Sequence, residues 1–305
     1  MANPNDTAAE MLSRLKRHHL RGKVVPLARL YEMRDEVHSR HQKGEFNEDF
    51  YRIELSGMEF EIPNAVPEAA SLIIVASPQP TVRISFTVNG RSFPVLVPPT
   101  YSYATDGLVR SILEDVLHPR GYLMARAFLP LKLLAVRGGL AEYGRNNITY
   151  VPGMGSFHRL AAFFTDLPCS EDIWREPTMM KLCRSCTACA ESCPTNAIAS
   201  DRFLLHAERC ITFMNEFPGE FPAWLDPAWH NCIVGCLHCQ RCCPADARVI
   251  DWIEDQDSFS QEETDLVMRG ASKGDLPQVT TEKLERLGLL EYLEILPRNM
   301  KVVLK

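Results

Sequence analysis

The apolar positions divide the chain into stretches with different periods. Ser71-Leu-Ile-Ile-Val-Ala76 is a continuous apolar run with β-branched residues, which predicts a buried strand. Val82, Ile84, Phe86 and Val88 then alternate with polar residues up to Asn89-Gly90, and Phe93, Val95 and Val97 follow. Alternation on both sides of Asn-Gly predicts a hairpin, because that dipeptide accepts the positive φ angles of a type I′ turn. Pro94 cannot donate to a ladder, so the second arm is expected at an edge or a bulge. Thr105 or Asp106 caps a helix through about Leu117, stopped by Pro119, and a second helix covers Pro130 to Arg137 before Gly138-Gly139. Ile148 to Val151 and Phe157 to Phe164 read as further strand or helix. Residues 7–43 read as helical and charged, with the basic run Arg14 to Lys23 forming a solvated helix face.

Past Pro244 the pattern turns helical again. Ser260 with Glu263 forms a capping box for a helix through Met268, which Gly270 stops. Thr280 or Thr281 is expected to cap a helix bearing Leu284, Leu287, Leu290 and Leu293 and ending before Pro297. The leucine stripe covers only about two heptads, so it predicts packing on the body rather than a coiled coil. The class is α+β, with expected domains at 1–178, 179–250 and 251–305.

A chain of 305 residues with 46% hydrophobic and 24% charged positions is an ordinary globular protein. Its net charge of −6 argues against a dominant nucleic-acid role. There is no G-x-G-x-x-G and no Walker loop to support nucleotide binding. The sequence shows no signal peptide, no twin-arginine pair and no apolar run approaching the ~20 residues that span a bilayer. A cytoplasmic protein without membrane contact is therefore expected. The 11 cysteines are clustered in metal spacing, which indicates thiolates in a reducing, anaerobic setting rather than disulfides.

The cysteines carry the most specific signal. Cys183-Arg-Ser-Cys186-Thr-Ala-Cys189-Ala-Glu-Ser-Cys193-Pro194 is the bacterial ferredoxin run, and Cys236, Cys239 and Cys243-Pro244 repeat its second half. In two-cluster ferredoxins the cysteine before the proline ligates the other cluster. One [4Fe-4S] cluster then takes Cys183, Cys186, Cys189 and Cys243. The other takes Cys193, Cys236 and Cys239 and needs a fourth thiolate. Cys210 can fill that place; Cys232 and Cys242 are the alternatives, although Cys242 adjoins a residue committed elsewhere. A zinc ribbon would use only four sulfurs in two pairs, and more thiols than that are present. Trp224 and Trp229, between the runs, are expected to shield the clusters.

Upstream lies a glycine-punctuated segment, Gly138-Gly-Leu-Ala-Glu-Tyr-Gly144-Arg145-Asn146-Asn147-Ile-Thr149, followed by Gly153-Met-Gly155-Ser156 and Thr165-Asp-Leu-Pro168. Glycines let backbone approach a large flat ligand closely. This order of motifs directly before two ferredoxin runs resembles the epoxyqueuosine reductase and reductive dehalogenase superfamily. Glu142-Tyr-Gly144-Arg145-Asn and Arg159-Leu160 resemble the dehalogenases, while Arg209-Cys210-Ile-Thr212 resembles epoxyqueuosine reductase.

The resemblance implies a nitroreductase-like α/β domain binding cobalamin without a lower protein ligand, next to a two-[4Fe-4S] ferredoxin domain and a short helical tail. It places the corrinoid near Gly144, Arg145, Asn146, Thr149, Ser156, Leu160, Thr212 and Leu237, and gives Cys210 to the second cluster. The chain lacks Asp-x-His-x-x-Gly, the motif that offers cobalt a histidine. The implied activity is a reductase that cleaves a C–O or C–halogen bond, fed by a ferredoxin- or flavodoxin-type donor. Where epoxyqueuosine reductases carry an acid this chain has Ala125, and its tail is shorter than their tRNA-binding extension, which disfavours tRNA. Tyr143, with Arg145 as a stabilising cation, is then a candidate proton donor, as are Tyr101, Tyr103 and Tyr122. Two other readings keep the clusters: an electron-transfer protein that reactivates the corrinoid of a partner, and a flavin-containing oxidoreductase.

Overall fold

The structure, a computed structural model, describes residues 3–304. Among the described residues nine strands follow one another: β1 (Arg21–Pro26), β2 (Ser71–Pro78), β3 (Thr81–Val88), β4 (Arg91–Val97), β5 (Met124–Ala127), β6 (Glu142–Tyr143), β7 (Thr149–Tyr150), β8 (His158–Thr165) and β9 (Ile253–Phe259). The chain divides into two compact units, each discontinuous: Met1–Pro78 with Thr105–Ser185, and Gln79–Ala104 with Cys186–Lys305. This differs from the consecutive domains expected from the sequence. The hairpin lies early in the chain but pairs with β9, so it belongs to the second unit.

The first unit is built on an antiparallel sheet of order β1-β2-β8-β5. Both faces of the sheet are covered. Leu72, Ile74 and Ala76 of β2 and Ala162 and Phe164 of β8 face a core shared with the helices Arg29–Gln42 and Leu131–Arg137. The intervening Ile73, Val75, Ala161 and Phe163 face a second core against the helices Pro4–Arg17 and Asp106–Leu117. That is why the 72–76 run is apolar at every position: each side chain loses water, at roughly 1.5–3 kcal/mol for a fully buried aliphatic. The expected helix over 7–43 is corrected here. Arg21–Pro26 is a strand paired with β2, and the helix before it ends at His18 with His19 at φ 62°. Only two fully apolar residues, Val24 and Val25, mark β1, too few to outweigh the basic residues around them.

The second unit contains the hairpin. Asn89 and Gly90 have φ of 50° and 71°, as the turn requires. Pro94 sits on the edge strand of the order β4-β3-β9. β9 pairs parallel to β3, a strand that sequence reading missed, because Glu254, Asp255, Gln256 and Asp257 hide its alternation. Phe86 and Phe259 stack at 4.6 Å, over a core with Leu284, Leu287, Leu296 and Met300. The capping box at Ser260 and Glu263 is formed. The leucine-bearing helix is corrected: it runs Gln278–Arg286 from Pro277, and Gly288 at φ 67° breaks it. Thr280 caps nothing; it is buried and donates to Glu263 Oε1 at 2.9 Å. Pro297 lies in the first turn of the next helix, Leu296–Val303. No helix among the described residues is long and apolar enough to cross a membrane.

Candidate metal centre

The two cysteine runs fold alike. Ala188–Glu191 and His238–Arg241 are one-turn helices that pack against each other and carry Cys189 and Cys239. Each is preceded three residues earlier by Cys186 or Cys236 and followed four residues later by Cys193-Pro or Cys243-Pro. In this repeat Ile233 occupies the place of Cys183, so one ligand set is short by one thiol. The shortfall agrees with the spacing of the cysteines, which leaves the second set in need of a fourth thiolate.

Cys193, Cys210 and Cys236 lie close enough to influence one another electrostatically. Burial pushes the Cys236 thiol up to about 12, and the neighbouring Cys210 and Cys193 push in the same direction. The Cys210 thiol is likewise pushed up by burial, with Cys193 adding to it. Thiols held this way stay protonated until a cation joins them, as the irons of a cluster would. Donors are already aimed at the sulfurs. The backbone N–H groups of Phe213 and Thr212 and the Thr212 hydroxyl act on Cys210, and the His238 N–H acts on Cys236.

The alternatives are placed differently. Cys232 is buried beside Cys236 and its thiol is pushed well up by that burial. It couples to Cys236, whereas Cys210 couples to both Cys193 and Cys236. Cys242 points its Sγ at the Cys239 carbonyl, at 3.6 Å. All 11 cysteines are unbridged. Among the described residues no three His, Cys, Asp or Glu side chains close on a single-ion site. A cubane takes one thiolate per iron, so its sulfurs stand at separate corners rather than around one ion.

The loop that presents Cys236 is held from several sides. Asn299, fully buried, donates to the Asn215 and Ile233 carbonyls at 2.8 Å each. Asn215 in turn donates to the Gly235 carbonyl at 2.8 Å. Gly235 has φ 64°, and a Cβ there would meet Tyr101 Oη at 2.5 Å. Tyr101 is itself buried and hydrogen-bonded to Glu216, and burial followed by that carboxylate pushes its hydroxyl well up. Trp229 and Cys236 pack against the same small cluster of Ile211, Met214 and Leu225, whereas Trp224 is 52% exposed. The expectation for Trp224 is corrected: it lies on the Pro222–Leu225 turn with its ring in solvent.

In the first unit, Arg145 donates to the Cys183 carbonyl at 2.6 Å. Tyr143 is a core residue, bridged to Met179, whose hydroxyl is pushed up chiefly by burial. Gly144 admits no side chain, since a Cβ would stand 2.4 Å from Asn146 Oδ1. Asn146 donates to Tyr150 Oη at 3.1 Å, and Thr149 pairs with His158 Nε2 at 3.0 Å. The Gly155 carbonyl, 3.1 Å from His158 Nδ1, can only accept, so Nδ1 carries the proton and Nε2 accepts from Thr149. Ser156 and Leu160 are buried. Thr212 and Leu237, expected near a corrinoid, are in contact with the cysteine loop of the second unit.

Residues 182–246 match the 4Fe-4S double cluster binding domain family. A tetrachloroethene reductive dehalogenase of Desulfitobacterium hafniense is 38% identical over 79 residues, 25% of this chain and 14% of that protein. An epoxyqueuosine reductase of Cyclobacterium marinum is 36% identical over 80 residues, 26% of this chain and 24% of that protein. The aligned stretch is thus a minor part of either relative. A crystal structure of epoxyqueuosine reductase with a tRNA-Tyr epoxyqueuosine-modified stem loop superposes with a TM-score of 0.66 at 19% identity, covering 99% of this chain and 82% of that one.

Proposed function

From a double-cluster chain that is homologous to epoxyqueuosine reductases and reductive dehalogenases and has the epoxyqueuosine reductase fold, we propose an iron–sulfur, cobalamin-dependent oxidoreductase that cleaves a C–O or C–halogen bond reductively. The mutual electrostatic influence of Cys193, Cys210 and Cys236 supports the reading, with Cys239 as the proposed fourth ligand of that cluster. Cys183, Cys186, Cys189 and Cys243 form the other set. When bound, the clusters supply one-electron relay and the corrinoid supplies the bond-cleaving metal.

The chain's own residues prepare both sites. N–H groups at Cys210 and Cys236 favour thiolate over thiol. Arg145 fixes the peptide of the first ligand. The Gly144–Leu160 segment is the proposed corrinoid wall, contributed by Gly144, Arg145, Asn146, Thr149, Ser156 and Leu160. His158 has both ring nitrogens engaged, so it offers cobalt no imidazole, which fits a corrinoid without a lower protein ligand. Unbridged cysteines suit a reducing cytoplasm and a low-potential ferredoxin- or flavodoxin-type donor.

The substrate is proposed to be a small molecule rather than tRNA. The C-terminal leucines are consumed in the core of the second unit. Ala125, in β5, supplies no acid. The same absence supports a second reading, in which the chain passes electrons to a corrinoid on a partner protein. The deciding experiment is iron, sulfide and cobalt analysis with EPR on protein purified anaerobically and incubated with cobalamin. Iron for two clusters, stoichiometric cobalt and a base-off signal without nitrogen splitting support the enzyme. Iron without cobalt overturns the corrinoid part.

A further inference from the structure

The last helix, Leu296–Val303, reaches back to the helix Ile211–Glu216, which starts directly after Cys210. A helix leaves its final carbonyls without partners inside itself, and a cation at that end is favoured by the dipole. Arg298 fills this role. Its Nη2 donates to the Met214 carbonyl at 2.8 Å, and its Nη1 donates to the Phe217 carbonyl at 2.9 Å and to the Gly219 carbonyl. The fork is itself fixed. Nε and Nη2 donate to Asn299 Oδ1 at 3.1 and 3.0 Å, and the guanidinium lies over the Phe221 ring at 4.0 Å. Met214 is also the link to the cysteine, because its N–H donates to the Cys210 carbonyl at 3.0 Å. A single residue thus joins Arg298 to the peptide of Cys210.

We propose that Arg298 is a positioning residue of the second cluster: it holds the end of the Ile211–Glu216 helix and thereby fixes where Cys210 presents its sulfur. The inference rests on the reading above that gives Cys210 to that cluster. A helix of six residues is about 9 Å long, and its internal hydrogen bonds make it move as one piece. Released at its far end, it would swing and carry Cys210 away from the corner where a cluster iron needs its thiolate. The hydrogen bonds of Arg298 fall on Met214, Phe217, Gly219 and Asn299, and on no residue of the first ligand set. Its loss should therefore act on one cluster and spare the other.

The test is iron release to the ferrous chelator bathophenanthroline from the anaerobically reconstituted, dithionite-reduced full chain, for wild type, Arg298→Ala, Arg298→Lys and Cys210→Ser. Cys210→Ser, with the first cluster alone, gives the release rate of that cluster; the rest of the wild-type trace belongs to the second. Arg298→Lys offers a point donor in place of the planar fork. Its second cluster should release iron about tenfold faster, and its first cluster at the wild-type rate. Arg298→Ala should be faster still, or should bind only the first cluster. If Ala loses both clusters, Lys decides, because it keeps the charge at the helix end. Equal acceleration of both clusters overturns the inference, since a general loss of stability acts on both alike. An unchanged trace in both variants, or loss of both clusters from Lys, overturns it too. Cys210→Ser with both clusters retained overturns the assignment of Cys210, and with it the inference, but leaves the two-cluster reading intact. A wild type without iron overturns both.

Discussion

Arg145 Nη2 donates to the backbone carbonyl of Cys183 at 2.6 Å. A residue expected from the sequence to be a stabilising cation thus has donor capacity committed to the peptide of a proposed cluster ligand. A charged donor to a part-buried carbonyl contributes about 1.5–3 kcal/mol. Arg145→Ala should lower the urea midpoint accordingly and reduce the iron retained after desalting, and Arg145→Lys should restore part of both. Unchanged iron and midpoint in the alanine variant would show that the tether does nothing for the site.

Of the three candidate fourth ligands, Cys210 and Cys232 separate by their neighbours. Cys210 couples to Cys193 and Cys236, while Cys232 couples to Cys236 and lies beside Tyr101. Cys210→Ser should lose roughly half of the bound iron, one cluster of two, with the remaining EPR signal that of a single cluster. Cys232→Ser should keep all of it. The reverse pattern would exchange their roles.

Asn299 is a clamp on the cysteine loop. Its Nδ2 serves two carbonyls, and its Oδ1 accepts from Arg298 Nε at 3.1 Å. Asn299→Ala leaves buried carbonyls without donors, at about 1–3 kcal/mol each. Chemical denaturation should show a loss of several kcal/mol. Asn299→Asp should be worse, since it sets carboxylate oxygen against carbonyl oxygen.

His158 gives the first unit an acid sensitivity. Burial lowers it from 6.5 to about 4, against a smaller opposing effect of the Gly155 carbonyl. Between those values the unfolded chain binds the proton and the folded chain does not. Stability is therefore complete above about pH 6.5, falls as pH drops toward 4, and levels off below. The shift corresponds to about 3 kcal/mol by linkage. Urea midpoints at pH 7, 5.5 and 4 should show this slope in wild type, and His158→Asn should flatten it. An equal slope in both would assign the sensitivity to other groups.

Where local chemistry and tertiary context agree, the sequence was legible. Asn89-Gly90 dictates its turn, Ser260 and Glu263 cap each other, and the β2 run is apolar because both its faces are covered. β9 was not legible, since four acidic or amide residues in a row carry no period and the strand exists only by pairing with β3. Thr280 looked like a cap because threonine often is one; burial against Glu263 decided otherwise. The cysteine spacing named the metal chemistry, but the amides of Asn231, Asn215 and Asn299 had no pattern to announce them. They act across 6 to 84 residues of chain.

The parallel pairing of β3 with β9 also governs how the polypeptide is made. Arg83 and Asp255, which face each other across these strands, are 172 residues apart. At ribosomal rates of about 5–20 residues per second, β3 waits roughly 10 to 30 s for its partner to emerge. Throughout that interval the hairpin offers an open edge and an unstacked Phe86 to any nascent neighbour. The second unit closes only after β9 has emerged, so its cysteines are enclosed by their full surroundings late in the synthesis of this unit.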